Sequence, residues 1–449
     1  MVCPTSCSAA GRACRTSCSA AGRVYPPDFV SGLPFNLKPS TLMHIDLNSC
    51  FATIEQQANP LLRGKPIAVA AYTTSSGCIL APSIEAKKLG VKVGMRVGEG
   101  KLLCPKLQIL SPDPWKYRYV HLRLRDIIAK YTNNFTPKSI DEFSLNLEGY
   151  PAYSLGMMAV GQEIKHQIKT QIGEWLTVSI GIAPNRFLAK LAAGLKKPDG
   201  LEEISHLNYQ EVYSRLSLVD LPGIKRANAI RLNQVGIYTL WDFYQAPLSQ
   251  LKSAFKSILG YYWYLRLHGW EIDDVEFGRK SFGNMYSLPQ ILSAPQDLSP
   301  ILHKLVEKSS FRLRTAGYSA RGVHLALLYR DHSFWHHGSL RPQPLFAASD
   351  IYRVAYRLLL SSPYHTPVAN ISVSLFDLKK ADFSQLHLFE DLTKKLKLTQ
   401  AIDKINQKWG NFVITPAMML GTQDQVPDRV AFGNIKELEQ FICSSGVSD

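Results

Sequence analysis

The chain has no run of about 18 apolar residues, the length that crosses a bilayer as a helix, so its hydropathy predicts no membrane span. Cysteine is sparse as well. Eight in 449 residues cannot form a disulfide framework, and Cys50, Cys78, Cys104 and Cys443 stand singly among apolar or small residues, as the reduced thiols of a cytoplasmic protein do. The other four, Cys3, Cys7, Cys14 and Cys18, fall in a leader where Thr5-Ser6-Cys7-Ser8-Ala9-Ala10-Gly11-Arg12 recurs as Thr16-Ser17-Cys18-Ser19-Ala20-Ala21-Gly22-Arg23. Their spacing fits none of the common structural zinc patterns, and no apolar stretch marks a secretory signal. Residues 1–38 are therefore expected to be a disordered extension. Acid is the third shortage. With 36 Asp and Glu against 51 Lys and Arg, the formal charge is +15, which suggests an anionic partner, nucleic acid before an acidic membrane. The remaining composition, 46% hydrophobic and 19% charged, is that of a folded protein, and the length predicts three or four domains rather than one core.

The few acids sit in telling places. Leu42 to Leu47 reads as a buried strand with His44 and Asp46 on one face and Met43, Ile45 and Leu47 on the other. Some ninety residues on, Ser139-Ile140-Asp141-Glu142-Phe143-Ser144 plants two more carboxylates in a second apolar strand. Three crowded carboxylates at an effective dielectric of ~20 repel by roughly 4 kcal/mol per pair, and a divalent cation is the simplest remedy. On neighbouring strands, about 4.8 Å apart, Asp46 and Asp141 could share a pair of ions. All-oxygen ligands favour Mg²⁺ or Mn²⁺ over Zn²⁺. Alternation points Glu142 to the opposite face, so it serves only if the strand twists or ends there. The plainer alternative is a helix-capping Asp46 and a solvated hairpin edge at Asp141-Glu142.

Along the rest of the chain, Ser49 to Ala58 reads as helix, Ile67 to Ala71 as strand, Trp115 to Tyr131 as helix and Ser139 to Leu147 as strand. Val160, Ile164, Ile168 and Ile172 give Met157 to Ile172 an apolar helical face, and Val178, Ile180 and Ile182 alternate along a further strand. The order suggests a ferredoxin-like sheet with an insertion after its first strand. A helix from Pro184 ends at Lys196-Lys197-Pro198-Asp199-Gly200. Residues 205 to 272 read as helical, with Leu221-Pro222-Gly223-Ile224-Lys225 among them. An acidic link, Glu271 to Gly278, leads to a mixed α/β unit, and the final 70 residues read as polar and mostly loose. The class is α+β, multidomain.

With Asp46 followed five residues later by Phe51, and Ser-Ile-Asp-Glu in the right order behind it, residues 40 to 420 resemble the Y-family of translesion DNA polymerases in its bacterial form. The resemblance implies a right-handed polymerase: palm at 39–50 and 115–204, small fingers at 51–114, helix-hairpin-helix thumb and linker at 205–278, little finger at 279–380 and a clamp-binding tail at 381–449. It implies two Mg²⁺ ions on Asp46, Asp141, Glu142 and the backbone carbonyl of Leu47, with dNTPs as substrate. It also makes Phe51 the steric gate that leaves no room for a ribose 2′-OH, Lys197 a triphosphate contact, and Cys78 and Leu80 the roof over the nascent base pair. In the fingers, many relatives carry Tyr-x-x-Arg where this chain has Ile84-Glu85-Ala86-Lys87. Lys87 cannot grip phosphate bidentately, and the pattern suggests the polymerase V branch.

Gly223 and Lys225 match a hairpin that grips a DNA phosphate with backbone N–H groups. Between Arg279 and Leu360, eleven Lys or Arg against four Asp or Glu resemble the basic sheet that this family lays across the major groove. Arg279, Lys280, Arg312 and Arg314 are its expected contacts, the last two on one face of a strand. Gln385-Leu386-His387-Leu388-Phe389 resembles the bacterial sliding-clamp motif, with Gln385, Leu386, Leu388 and Phe389 as anchors. Expected partners are thus primer-template DNA and the sliding clamp. Two rivals remain: a noncatalytic scaffold on the same fold, and a nucleotide cyclase with a similar two-metal sheet.

Overall fold

Strict alternation makes Leu42–Leu47 (β1) the centre of a five-stranded sheet in the computed structural model, which describes residues 33–275, 278–363, 366–380, 392–410 and 412–426. Helix α1 (Cys50–Ala58) follows. The insertion then folds as a small sheet, β2 (Ile67–Ala70), β3 (Ile79–Pro82) and, after α2 (Ile84–Lys88) and α3 (Val97–Leu103), β4 (Gln108–Leu110), in the order β3-β2-β4. Its core is Ala68, Ala70, Ile79, Ala86, Val91, Val97, Cys104 and Leu107. Asp113 caps α4 (Pro114–Ile128) by accepting from the Trp115 and Lys116 N–H groups, with Pro114 preset in the first turn. The large sheet is completed by β5 (Phe135–Pro137), β6 (Glu142–Asn146), β7 (Val178–Ala183) and β8 (Leu201–Glu203), in the order β5-β6-β1-β7-β8, with α5 (Met157–Gln171) and α6 (Arg186–Leu195) between them in sequence.

The two faces of this sheet are covered differently. On the Ile45 side, His121 of α4 stacks on Phe143, the cross-strand partner of Ile45. Gly161 of α5 brings that helix close to Ile180 and Leu201. On the Asp46 side, α6 lies directly on Gly181, the β7 partner of His44. A Cβ there would fall 2.0 Å from the Ala189 carbonyl oxygen, so the approach demands glycine.

Five helices follow: α7 (Tyr209–Arg215), α8 (Arg226–Asn233), α9 (Leu240–Gln245), α10 (Leu248–Phe255) and α11 (Leu259–Leu267). They share one core with α6, through Phe187, Leu188 and Leu191. Gly223 takes φ +94°, open to glycine but not to side chains.

A boundary between Asp274 and Val275 separates a second compact unit. Its strands β9 (Ser281–Leu292), β10 (Tyr318–Tyr329), β11 (Phe334–Leu345) and β12 (Val368–Lys380) pair antiparallel in the order β11-β10-β12-β9. The core between sheet and helices α12 (Pro295–Thr315) and α13 (Ala348–Leu360) includes Leu302, Leu305, Val323, Leu325, Ile351 and Val373.

Two expectations are corrected here. Arg312 and Arg314 lie on a helix, not a strand. Phe311-Arg312-Leu313-Arg314 is too short an alternation to outweigh the helical spacing of Leu298, Ile301, Leu302, Leu305 and Val306 before it. Nor is the region past residue 380 uniformly loose. Helix α14 (Leu392–Trp409) is tied to the unit by a two-point ion pair of Asp403 with Arg314, each contact 2.7 Å, and by Lys395 with Asp350. Lys304, 4% exposed, donates to the carbonyls of Thr422, Gln423 and Gln425 and so fastens the stretch behind it. Residues 1–32 of the expected leader lie outside the described residues, but its end is not loose: Phe35 is buried in the helical core and Asn36 donates to the Gly269 carbonyl at 3.0 Å.

Gly181→Ala is expected to destabilise the protein by about 1–3 kcal/mol through overpacking against α6, read as a lower apparent melting temperature.

Candidate active site

Register decides what meets here. Asp46 stands directly opposite Glu142 across the β1–β6 pair, and directly opposed residues of antiparallel strands share a face. The expectation that Glu142 points away is thus corrected, because β6 begins at Glu142 while Asp141 belongs to the bend before it. Asp141 is carried to the same end of the sheet, where its carbonyl accepts the Leu47 N–H at 2.9 Å. Asp46 and Glu142 thus meet across the strands, and Asp141 stands near enough for its charge to act on Asp46.

Their charges are balanced from the neighbouring helix. Lys197 Nζ lies 2.7 Å from Asp46 Oδ2, and Lys190 Nζ donates to both Glu142 oxygens at 2.8 and 2.7 Å. Burial pushes the Asp46 carboxyl above its ordinary pKa against the pull of Lys197, with Glu142 and Asp141 adding to the rise. Asp141 is raised too, first by burial and then by Glu142, while a hydrogen bond from the Ser139 hydroxyl opposes the rise. For Glu142 burial is also the largest influence and pushes upward, yet the Lys190 hydrogen bond, His44, and the charges of Lys190 and Lys197 together hold it below its ordinary value.

His44 is one layer deeper on the same face. Burial lowers its pKa to about 4, so it is neutral at pH 7. Its Nε2 has no hydrogen-bond partner and lies 4.0 Å from Glu142 Oε2. Donor atoms of His44, Asp46 and Glu142 fall within 4.8 Å of one another. Half-buried carboxylates, Asp46 and Asp141 with raised pKa values and Glu142 held low by Lys190, suit a hard divalent cation. The donor set fits.

Lys87, on the short helix α2, keeps solvent contact, but partial desolvation and then repulsion from Lys197 lower its pKa, against attraction from Asp46 and Asp141. Two lysines from different elements therefore feel the same carboxylates. Phe51 is 1% exposed, its ring stacked on Tyr117 at 4.1 Å. The Tyr117 hydroxyl donates to Glu55 at 3.0 Å, and Glu55 is paired with Lys116 at 2.8 Å. Cys78 is exposed and Leu80 half-buried, either side of fully buried Ile79. The short apolar residue between them faces the insertion's core.

Elsewhere the expected DNA contacts divide. Gly223 and Lys225 are exposed at the start of α8, whose N-terminus has no side-chain cap. In the second unit, Arg279 lies over the Phe282 ring at 4.4 Å and Lys280 is exposed. Arg312 instead donates to the Gly283 carbonyl and Asn284 side chain, and Arg314 to Asp403 and the Phe346 carbonyl. Gln385, Leu386, Leu388 and Phe389 lie outside the described residues.

Sequence reasoning missed Lys190, Ser139, Tyr117 and Asn48. Lys190 had a signal, since it is a lone lysine inside the apolar run Phe187 to Leu195. Asn48 had one too, as the third polar side chain of the alternating series His44, Asp46, Asn48.

The raised pKa of Asp141 has a thermodynamic sign. Its ionised form is less favourable folded than unfolded, so the charge costs stability above the raised value and costs nothing below the ordinary carboxylate pKa of about 4. Asp141→Asn, which keeps an acceptor for Ser139, is expected to raise the melting temperature of the metal-free protein at pH 7, the gain shrinking as pH falls toward 4.

Comparison with known proteins assigns the family. A family model described as the impB/mucB/samB family matches residues 45–194, and one described as that family's C-terminal domain matches residues 279–388. DNA polymerase IV of Pelotomaculum thermopropionicum is 31% identical over 381 residues, covering 84% of this chain and 94% of the relative. DNA polymerase IV 1 of Bacillus subtilis is 29% identical over 405 residues, covering 88% and 97%. Among solved structures, a Y-family DNA polymerase chimera of Dbh and Dpo4 aligns with a TM-score of 0.67 at 26% identity, over 75% of this chain and 98% of its own. An insertion ternary complex of Dbh DNA polymerase aligns over the same shares with a TM-score of 0.52 at 25% identity. Similarity of this length and from both ends of the molecule leads to one assignment: the chain belongs to the impB/mucB/samB family of Y-family, translesion-type DNA polymerases.

Proposed function

We propose that this polymerase extends a primer 3′-OH with dNTPs at the carboxylates of β1 and β6, and that it works past damaged bases. The observation that carries the reading is the register of Asp46 against Glu142, with Asp141 joined to Leu47 and two lysines facing the group. A scaffold protein has no use for crowded, partly desolvated acids. A cyclase has no use for the Gly223 hairpin or the second unit.

Asp46, Asp141, Glu142 and the Leu47 carbonyl would hold two divalent cations, Mg²⁺ or Mn²⁺. When bound, these lower the pKa of the primer hydroxyl and neutralise charge on the triphosphate and its leaving pyrophosphate. The chain's own residues do the rest. Lys197 and Lys190 stand on Asp46 and Glu142, keeping the anions from repelling one another. Lys197, at the exit of α6, and Lys87, on α2, present point charges to the triphosphate. Phe51 is backed by Tyr117, so its ring cannot yield to a 2′-OH. Cys78 and Leu80 border the base pair with small and medium side chains, and the small insertion that carries them leaves room for distorted templates.

Backbone N–H groups at the uncapped start of α8, with Gly223 and Lys225, hold a phosphate of the duplex without reading sequence. Arg279 and Lys280 add sequence-tolerant contacts from the second unit, whose affinity falls with salt. The Gln385–Phe389 motif tethers the enzyme to the sliding clamp, raising its concentration at a primer end.

Primer extension with Mg²⁺ tests the reaction: wild type is expected to copy the template and Asp141→Ala to leave the primer unextended. A wild type that never extends, or an Asp141→Ala that still does, overturns the reading. For the gate, Phe51→Ala is expected to raise ribonucleotide relative to deoxyribonucleotide insertion by roughly ten-fold, about 1.4 kcal/mol of discrimination. An unchanged ratio would reduce Phe51 to a packing partner of Tyr117.

A further inference from the structure

Lys197 sits in the turn that leaves α6, and the neighbours of that turn hold it from two sides. On the palm side is Asn48, 4% exposed. Its Oδ1 accepts the backbone N–H of Asp199 at 2.8 Å and the Thr177 hydroxyl at 3.1 Å, while Nδ2 donates to Ser179 Oγ at 2.9 Å. Asn48 cannot drift, because its own N–H donates to the Thr177 carbonyl at 2.9 Å and its carbonyl accepts from Thr53 Oγ1 at 2.7 Å. On the other side, the Asp199 carboxylate lies 3.0 Å from both Lys165 and Lys169 of α5. Asp199 itself adopts φ +58°, a conformation that persists only where the surroundings over-determine it.

These contacts close a ring. Lys197 reaches back to Asp46, and Asp46 is two residues from Asn48 on the same chain segment. Ser179, which takes the Asn48 amide, is also the cross-strand partner of Asp46 on β7. A ring of this kind fixes the ammonium relative to the carboxylates, whereas a free turn would let a four-carbon side chain sample many positions. We infer that Asn48 and Asp199 are positioning residues, which hold the Lys197 ammonium where the triphosphate of an incoming nucleotide arrives; the inference rests on the assignment of Lys197 made above.

The test is single-nucleotide insertion on a primer-template with Mg²⁺, scored as KM and kcat separately, with melting curves as the folding control. Lys197→Ala is expected to raise the dNTP KM by about ten-fold. Asn48→Leu, which cannot accept from Asp199, should raise KM by about five-fold with kcat changed less than about two-fold. Asn48→Asp keeps an acceptor for the Asp199 N–H and should restore most of the loss. In a Lys197→Ala background, Asn48→Leu should add less than about two-fold, since the group it places is gone. Should Asn48→Leu fail to fold, the α5 pair Lys165→Ala with Lys169→Ala releases the turn from its other side and is expected to raise KM in the same Lys197-dependent way. An unchanged KM in Lys197→Ala alone would sink the assignment of Lys197. A raised KM there, with Asn48→Leu and the lysine pair either silent or equally harmful without Lys197, would sink the positioning role.

Discussion

Everything in the first unit is arranged around one costly juxtaposition, acidic side chains gathered at the end of an apolar sheet. Asp46 and Asp141 are held above their ordinary pKa, chiefly by loss of water. The fold tolerates this because α6 supplies Lys190 and the turn after it Lys197, and because Ser139 donates to Asp141. Both ammonium groups come from outside the strands that carry Asp46 and Glu142 and offset their charge. Removing a cation source therefore differs from removing a carboxylate. One leaves anions to repel, the other relieves strain at the expense of function.

How much of this was legible beforehand depends on range. The strand Leu42–Leu47 was readable to the residue because its alternation is strict and its polar members, His44 and Asp46, share a face. The helix over Met157–Gln171 was readable from four apolar residues at a spacing of four. Glu142 was misplaced because alternation assumes a strand that continues, and β6 starts one residue later than the acidic pair suggests. No local pattern encodes where a strand begins when a bend precedes it. Arg312 and Arg314 failed for a related reason, a four-residue alternation inside a helix of 21 residues.

Side-chain brackets such as Phe51 on Tyr117 depend on contacts 66 residues apart in sequence. Sequence periodicity says that both face inward, and nothing about whom they meet. Asn48, Lys165 and Lys169 converge on Asp199 from two separate segments, which is likewise invisible along the chain. The site's chemistry, carried by residue type, was readable. Its scaffolding was not.

Helix α6 deserves a last consideration. Its apolar side chains Phe187, Leu188 and Leu191 belong to the core of the helical subdomain, and Asn185 at its start donates to the carbonyls of Arg266 and Trp270. Its cations Lys190 and the following Lys197 reach the carboxylates. One helix thus has its apolar side in the core of the subdomain that carries Gly223 and the Lys190 ammonium on Glu142. A change on its apolar side is therefore felt at Glu142 as well as in the helical core, because Phe187, Leu188, Leu191 and Lys190 are carried by one helix.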